Sequence, residues 1–388
     1  MHRREDLPLS EKRIGGLMKV VMTGGGTAGH VNPALSIAEI IKSKEPGSEI
    51  EFIGTANGLE AKLVPAAGYN LSIIEVHGLR RSLSPKNIRV IYKAYTSYRE
   101  CRKLLKKISP DVVIGTGGYV SWPVCRAAVS LKIPSILHEA NAAPGFAVKA
   151  LDGKADLIMV NFEETMSQLK SGKTEKAHVG MPINHKFYTT SRTRARKNVF
   201  EGVDYKYMVL SFGGSLGAEK INESVLGVMK NYVSKHPEIY FVHSTGASGY
   251  NDFMEKFKAS GLSGYNNIKV LNYIYNMPEM MTAADIVICR SGASTMSELS
   301  AIGKPSILIP SPNVTNDQQY KNAKIFADKG AALLLKNDET TAETLEKLVC
   351  GLLDDPAELS KMSRAAYGLS VQDTEEKIFN HVREIIGR

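Results

Sequence analysis

Short apolar runs alternate along the chain with glycine-marked turns and with longer stretches that are apolar at every third or fourth position. Met18–Met22, Glu49–Gly54, Leu71–Val76, Asp111–Thr116, Pro134–Leu137 and Ala155–Val160 are short and rich in Val and Ile, the pattern of strands buried on both faces. Between them, a helix starting at about Pro33 places Leu35, Ile37, Ala38, Ile40 and Ile41 on one side. Another, Lys86–Ile108, places Ile88, Ile91, Tyr95, Tyr98 and Leu105 near helical spacing. The pattern restarts at Tyr207 with strands at Tyr207–Phe212, Ile239–His243, Ile268–Leu271, Ile286–Cys289, Ser306–Ile309 and Ala332–Leu335, and a helix at Lys220–Tyr232. Strands alternating with helices predict parallel sheets. Two such arrays predict two doubly wound α/β domains facing each other across a cleft.

Length agrees, because 388 residues exceed one ordinary core. The expected boundaries are a flexible extension over residues 1–17, a first domain over 18–185, a linker over 186–204 and a second domain over 205–365. Residues 366–388 are expected as a helix packing back towards the first domain. The linker assignment rests on Asn184–Phe200, which carries five Lys/Arg and no acid.

Charge changes the picture at one place. The net charge is +9, and Leu79–Lys107 alone holds ten Lys/Arg against one acid, Glu100. Such a segment points to an anionic partner: nucleic acid, a phosphate-bearing substrate or a membrane surface. An ordinary solvated helix face is the plainer reading; an apolar loop tip, Leu79 and Leu83, flanked by Arg80, Arg81, Lys86 and Arg89, favours a membrane surface. Cys101, Cys125, Cys289 and Cys350 form no C-x-x-C, which argues against a disulfide framework or a zinc site. The first seventeen residues lack the apolar core of a signal peptide, and no run of 18 apolar residues occurs.

The candidate chemistry lies at strand ends. Gly24-Gly25-Gly26 turns the first strand into a helix, followed by Gly29 and His30, so backbone N–H groups are expected to stand unpaired there and attract an anion. Gly24, Gly26 and Gly29 match G-x-G-x-x-G, but the second strand ends in Ile53-Gly54-Thr55 with no acid to hold a ribose, which weakens a dinucleotide reading. Further turns carry Tyr119 and then Glu139 and Asn141, and ligands of open parallel sheets sit beyond such strand ends. In the second array Gly213–Gly217 is a phosphate-type turn. Arg290–Thr295 opens a helix containing Glu298, suited either to two ribose hydroxyls or simply to the helix dipole. Gln318 and Gln319 open another and can both donate and accept to sugar hydroxyls. No D-x-D, H-E-x-x-H or P-loop occurs, so a bound diphosphate must rely on N–H groups at Gly214-Ser215 and Gly292-Ala293.

Together GGGTAGH with NPAL, GGYV at Gly117–Val120, HEAN with Pro144-Gly145, FGGSLGA, CRSGAST with Glu298, and DQQ with Asn322 resemble the MurG glycosyltransferases from about Met18 to Arg388. The resemblance implies a GT-B fold of two Rossmann-like domains and an inverting transfer of N-acetylglucosamine from UDP-GlcNAc to O4 of lipid I, giving lipid II of peptidoglycan. It requires no metal or other cofactor. It implies Gly214 and Ser215 at the donor diphosphate, Ile274 at the uracil through its backbone and Glu298 at the ribose, with Ser291, Gly292 and Ala293 also binding the donor. Gln318 and Gln319 would read the sugar, with Thr27, Gly29 and Asn141 also on the donor side. Gly25, Gly26, Thr27, His30, Tyr119 and Asn141 would meet the acceptor. His30 is the first choice of catalytic base and Glu139 the second. Leu79, Arg80, Arg81, Leu83, Lys86 and Arg89 fall where the family docks on the inner membrane leaflet, which implies a peripheral protein on the cytoplasmic face, in cell-wall synthesis serving cell shape and division, with room for protein partners. The chain departs from the family at Ala140 (usually Gln), Ala28 (often Gly) and Asn184 (usually Arg); either Lys186 or Arg290 replaces that charge or donor affinity is lower.

Two rivals remain. Another GT-B enzyme, above all a UDP-GlcNAc 2-epimerase, would act on UDP-GlcNAc alone. A non-catalytic nucleotide- or RNA-binding protein would use the basic tract, although Tyr92, Tyr95 and Tyr98 at helical spacing suit a core better than a stacking surface.

Overall fold

The computed structural model describes residues 17–76, 86–170, 172–214 and 216–387, and for 86–95 the backbone alone. Leu79, Arg80, Arg81, Leu83 and Ser215 lie outside the described residues, as do the side chains of Lys86 and Arg89. The described residues pack as two units: those within 17–140, 144–179 and 373–387 form the first, and those within 141–143 and 180–372 the second.

The first unit contains β1 (Lys19–Thr23), β2 (Glu49–Gly54), β3 (Asn70–Ile73), β4 (Val112–Gly115), β5 (Ser135–Glu139), β6 (Leu157–Val160) and β7 (Glu175–His178). They form one sheet in the order β3-β2-β1-β4-β5-β6-β7, every pair parallel. Period-two alternation divides the strands between two apolar layers. Val20, Met22 and Phe52 join Ile37, Ile41, Ile378 and Val382 on one face; Val21, Ile53 and Val113 join Leu105, Val124 and Leu137 on the other. The C-terminal helix Thr374–Gly387 therefore belongs to the first unit's core.

The second unit contains β8 (Tyr207–Phe212), β9 (Ile239–Ser244), β10 (Ile268–Leu271), β11 (Ile286–Cys289), β12 (Ser306–Leu308) and β13 (Ala332–Leu334), ordered β10-β9-β8-β11-β12-β13 and again parallel. Each sheet reverses its winding beside its first strand, β1 or β8, and places its ligand-binding edge at the carboxyl ends there.

Three expectations need correction. The helix after β1 is Ala28–Lys44, starting well before Pro33; Thr27 is its extended N-cap, and Pro33 sits inside it. A proline there only removes one helical hydrogen bond, and the buried face formed by Val31, Ala34, Ile37 and Ala38 outweighs that loss. β7 was not expected, because it is a polar edge strand bonded to β6 alone. Residues 186–204 hold two helices, Lys186–Thr189 and Arg192–Val199, packed in the second unit. Their charge is used internally: Arg192 and Arg196 pair with Asp285, whose carboxylate also accepts from Met208 N–H at 2.7 Å. The unit boundary accordingly falls at Val179 and Gly180.

In the basic helix Lys86–Ile108, Ser97, Cys101, Leu105 and Ile108 are buried, so its C-terminal half is an ordinary packed helix. Among the described residues no helix is long and apolar enough to cross a membrane.

Candidate functional site

In the first unit, adjacency of β1 and β4 brings two glycine turns together. Gly118, at φ +81°, lies so close to the other turn that a Cβ would stand 2.1 Å from the Gly25 carbonyl oxygen. Gly117, at φ +106°, faces the His30 ring, with Nε2 2.9 Å from where a Cβ would be. Only glycine fits such contacts at positive φ. Thr116 Oγ1 donates to the His30 carbonyl at 2.6 Å, and Ser121 Oγ donates to Thr23 O at 3.0 Å, so backbone on both turns is fixed by hydroxyls.

The His30 imidazole is half-buried, and burial holds its pKa below the ordinary value. Nδ1 lies 2.9 Å from Thr27 Oγ1. In the tautomer with Nδ1–H donating to that hydroxyl, Nε2 carries the free lone pair beside Gly117. A neutral imidazole in this tautomer is a proton acceptor at neutral pH.

The first glycine turn is not the open anion cradle expected from the sequence. Gly26 N–H donates to Glu60 Oε2 at 3.0 Å, and Gly25 N–H reaches Gly117 O at 3.4 Å. Ala28 and Gly29 are exposed in the first turn of the following helix, which carries no acid there. Their N–H groups are those a ligand could still use. The acid sought after β2 for a ribose therefore exists, six residues past Gly54, but its carboxylate fills the glycine turn instead.

Tyr119 is 37% exposed, with its ring against Gly26 and its hydroxyl 3.3 Å from Thr55 Oγ1. Glu139 ends β5, one strand beyond β4, and is buried; its Oε2 accepts from Gly145 N–H at 2.6 Å. It thus caps the short helix Phe146–Leu151.

In the second unit, Gly217 and Gly246 press backbone on backbone: a Cβ on Gly217 would lie 2.0 Å from Thr245 O. Gly214, at φ +93°, has open space around it. Beneath these turns His243 is wholly buried and bonded through Ser211 Oγ and Asn222 Oδ1, both at 3.2 Å, and burial pushes its pKa down to about 3. It is a neutral core histidine.

Ser291 is buried and Gly292 N-caps the helix Ala293–Ala301. Glu298, half-buried on that helix, accepts no hydrogen bond from the described residues, and burial pushes its carboxyl up to about 7. A polar group so placed is left for a ligand to satisfy. Asn322 ties the neighbourhood together: its Oδ1 accepts from Ala142 N–H at 2.9 Å, and its Nδ2 donates to Ser291 O at 3.1 Å and Asn141 Oδ1 at 3.3 Å. Ser291 Oγ donates to Gln319 O at 2.8 Å, and Gln319 Oε1 accepts from Ser311 N–H at 2.8 Å. Gln318 is half-buried one residue earlier. Ile274 is buried between the exposed Tyr273 and Tyr275. Arg290 Nη1 is engaged by the carbonyls of Ile309 and Pro310, both at 3.0 Å, whereas Lys186 is exposed.

The structure thus joins His30, Thr27 and Tyr119 in one unit and Asn141, Ser291, Glu298 and Gln319 in the other. Sequence reasoning passed over Glu60 and Thr55, and gave Asn322 no role although it stands in the motif with Gln319. Among the described residues one group could hold a cation, Glu175, His381 and Glu384, on β7 and the C-terminal helix. None of the glycine turns contributes to it.

The glycosyltransferase family 28 N-terminal domain profile matches residues 20–160, and the family 28 C-terminal domain profile matches residues 208–378. The UDP-N-acetylglucosamine–N-acetylmuramyl-(pentapeptide) pyrophosphoryl-undecaprenol N-acetylglucosamine transferase of Acetivibrio thermocellus is 40% identical over 369 residues, 95% of this chain and 98% of that protein. The like-named protein of Lactococcus lactis subsp. cremoris is 38% identical over 95% of this chain and 99% of its own length. Among solved structures, Acinetobacter baumannii MurG superposes with a TM-score of 0.78 at 27% identity, covering 95% of this chain and 99% of its own. A UDP-N-acetylglucosamine 2-epimerase from Listeria monocytogenes, described as putative, reaches 0.67 at 16% identity over 95% and 96% of the two chains, a likeness of fold.

Proposed function

We propose that this chain, which belongs to glycosyltransferase family 28 and within it to the MurG family, transfers N-acetylglucosamine from UDP-N-acetylglucosamine to lipid I, making lipid II. It is a glycosyltransferase of the GT-B fold. The observation that carries the reading of mechanism is His30, half-buried, held neutral by burial and oriented by Thr27.

In this reading the O4 hydroxyl of the muramyl sugar attacks C1 of the donor sugar from the face opposite UDP. The O4–C1 bond forms, the bond from C1 to the UDP oxygen breaks, and the configuration at C1 inverts. The O4 proton passes to His30 Nε2, while Nδ1–H stays on Thr27 Oγ1. Glu139 is the weaker candidate, since its carboxylate already holds Gly145 N–H. Tyr119, Thr27, Gly25 and Gly26 serve the acceptor, the two glycines as packed backbone, and the family resemblance assigns Asn141 to it as well.

On the donor side Glu298 takes the ribose hydroxyls. The N–H groups of Gly292 and Ala293, with Ser291, Gly214 and Ser215, meet the diphosphate; the family resemblance assigns Thr27 and Gly29 to the donor as well. Ile274 offers backbone to the uracil, and Gln318 and Gln319 read the sugar. Gln319 does so through its amide N–H₂, because its oxygen serves Ser311. No metal ion or organic cofactor enters these steps. Lys186, or Arg290 through the N–H groups other than those of Nη1, supplies the positive charge missing at Asn184, or donor affinity is lower. Leu79, Arg80, Arg81, Leu83, Lys86 and Arg89 dock the protein on anionic lipid at the cytoplasmic face of the membrane, where lipid I resides. Cell shape and division, and contacts with other wall-synthesis proteins, follow from that place.

The test is UDP release from UDP-GlcNAc with and without a lipid I analogue. Release that requires the analogue, and that falls at least 100-fold in H30A, is expected. Epimerisation or hydrolysis at full rate without acceptor would refute transfer.

A further inference from the structure

Glu60 is an acid in an unusual place. It opens the short helix Glu60–Ala66, only 1% of it is exposed, and its carboxylate reaches back into the glycine turn after β1. Oε2 accepts from Gly26 N–H at 3.0 Å, and Oε1 accepts from Thr55 N–H at 3.1 Å and from Thr55 Oγ1 at 2.6 Å. Burial pushes its pKa up, but the Thr55 hydroxyl and the N–H groups of Gly26, Glu60 and Thr55 outweigh that and hold it below the usual carboxylate range. The carboxylate is therefore ionised.

Its surroundings are shaped for it. A Cβ on Gly25 would stand 2.6 Å from Oε1, and one on Gly58 2.2 Å from Oε2. Thr55 extends the network, since its hydroxyl lies 3.3 Å from the Tyr119 hydroxyl. Gly26, at φ +87°, is covered by the Tyr119 ring, and Gly118 closes on Gly25. One buried anion thus fastens the turn that leads into His30 and, through Thr55, the turn that carries Tyr119.

We propose that Glu60 is a positioning residue for the transfer, a built-in anion that holds Gly24–Thr27 in its working conformation before substrate arrives. An ionised carboxylate at Gly26 also repels a second anion from that N–H. That one N–H is thereby closed to a diphosphate, whereas those of Ala28 and Gly29 stay open. Preorganisation of this kind acts on the rate step, because a base displaced by about 1 Å loses most of its effect. The kinetic part of the inference rests on the proposed transfer; the structural part does not.

E60Q separates the possibilities. Glutamine keeps the volume, but its amide can place an N–H₂ against Gly26 N–H, or lose its bonds to Thr55. Amide exchange of Gly26, the N–H that Glu60 holds, is expected to be slow in the wild-type protein and at least tenfold faster in E60Q. The kcat with UDP-GlcNAc and a lipid I analogue is expected to fall 10- to 100-fold, with KM for UDP-GlcNAc unchanged within twofold. Should E60Q fold poorly, T55V removes one bond to the carboxylate and the link to Tyr119, and is expected to show the same split at smaller size. Unchanged exchange in E60Q, or in T55V where that variant stands in, overturns the inference. So does equal loss in kcat and donor affinity, which marks a general loss of fold. A wild-type protein that transfers nothing while exchange behaves as expected overturns the proposed function and leaves Glu60 as the anchor of the turn.

Discussion

Glu298 offers a sharp test of the donor half, because its charge state in the free protein differs from the one a ribose needs. Burial pushes its carboxyl from 4.5 up to about 7, and it has no protein hydrogen bond among the described residues to offset this. At pH 6 a group with that pKa is about 0.9 protonated, and at pH 8 only about 0.1. Two ribose hydroxyls donating to the carboxylate favour its ionised form. Binding of UDP at pH 6 should therefore expel most of a proton from Glu298 and weaken about tenfold per pH unit below 7. Calorimetry in two buffers of different ionisation enthalpy measures the protons released. Subtracting the E298Q value cancels protons exchanged by the diphosphate itself, and the expected difference is about 0.9 at pH 6 and near zero at pH 8.

The same shift has a stability consequence with a fixed sign. The folded pKa is raised, so the native state binds more protons than the unfolded state between 4.5 and about 7. Glu298's contribution is full below that window and lost as pH rises through it, amounting to on the order of 3 kcal/mol. E298Q should match the wild type at low pH and exceed it above pH 7. Buffer-independent binding differences, together with parallel stability curves, would refute the reasoning.

Two further outcomes follow from other parts of the chain. D285A removes a mostly buried carboxylate shared by Arg192, Arg196 and Met208 N–H, and should destabilise the second unit by about 2 to 4 kcal/mol in urea melts; a loss under about 0.5 kcal/mol would show that solvent screens the pairs. L79S combined with L83S should cut sedimentation with anionic vesicles several-fold while leaving UDP binding intact; undiminished sedimentation would remove the membrane-docking role.

Most strands were legible because parallel strands inside a sheet are buried on both faces and so become apolar runs: Tyr207–Phe212 and Ile286–Cys289 fall where the pattern puts them. β7, the edge strand EKAH, escaped because with one neighbour it needs no apolar run and has none, whereas the edge strand Ile268–Leu271 keeps three apolar residues. The helix start at Ala28 escaped because proline is a strong local signal and the packing of Val31 and Ala34 a distant one. Arg192–Val199 resembled a linker since its charges find Asp285 some 90 residues along the chain, at separations of 93 and 89.

By itself the sequence determined the two parallel-sheet arrays, the glycine turns at their ligand edges, and through its ordered motifs the family. Those properties are local: apolar strand runs and left-handed glycine turns are written in neighbouring residues. Only the tertiary structure decided what each turn's N–H groups do. Gly26 is bound by Glu60, 34 residues away, and the helix that Gly292 opens carries Glu298, which has no hydrogen bond among the described residues. A hydrogen bond depends on where folding brings a distant side chain, and that no spacing in the sequence can state.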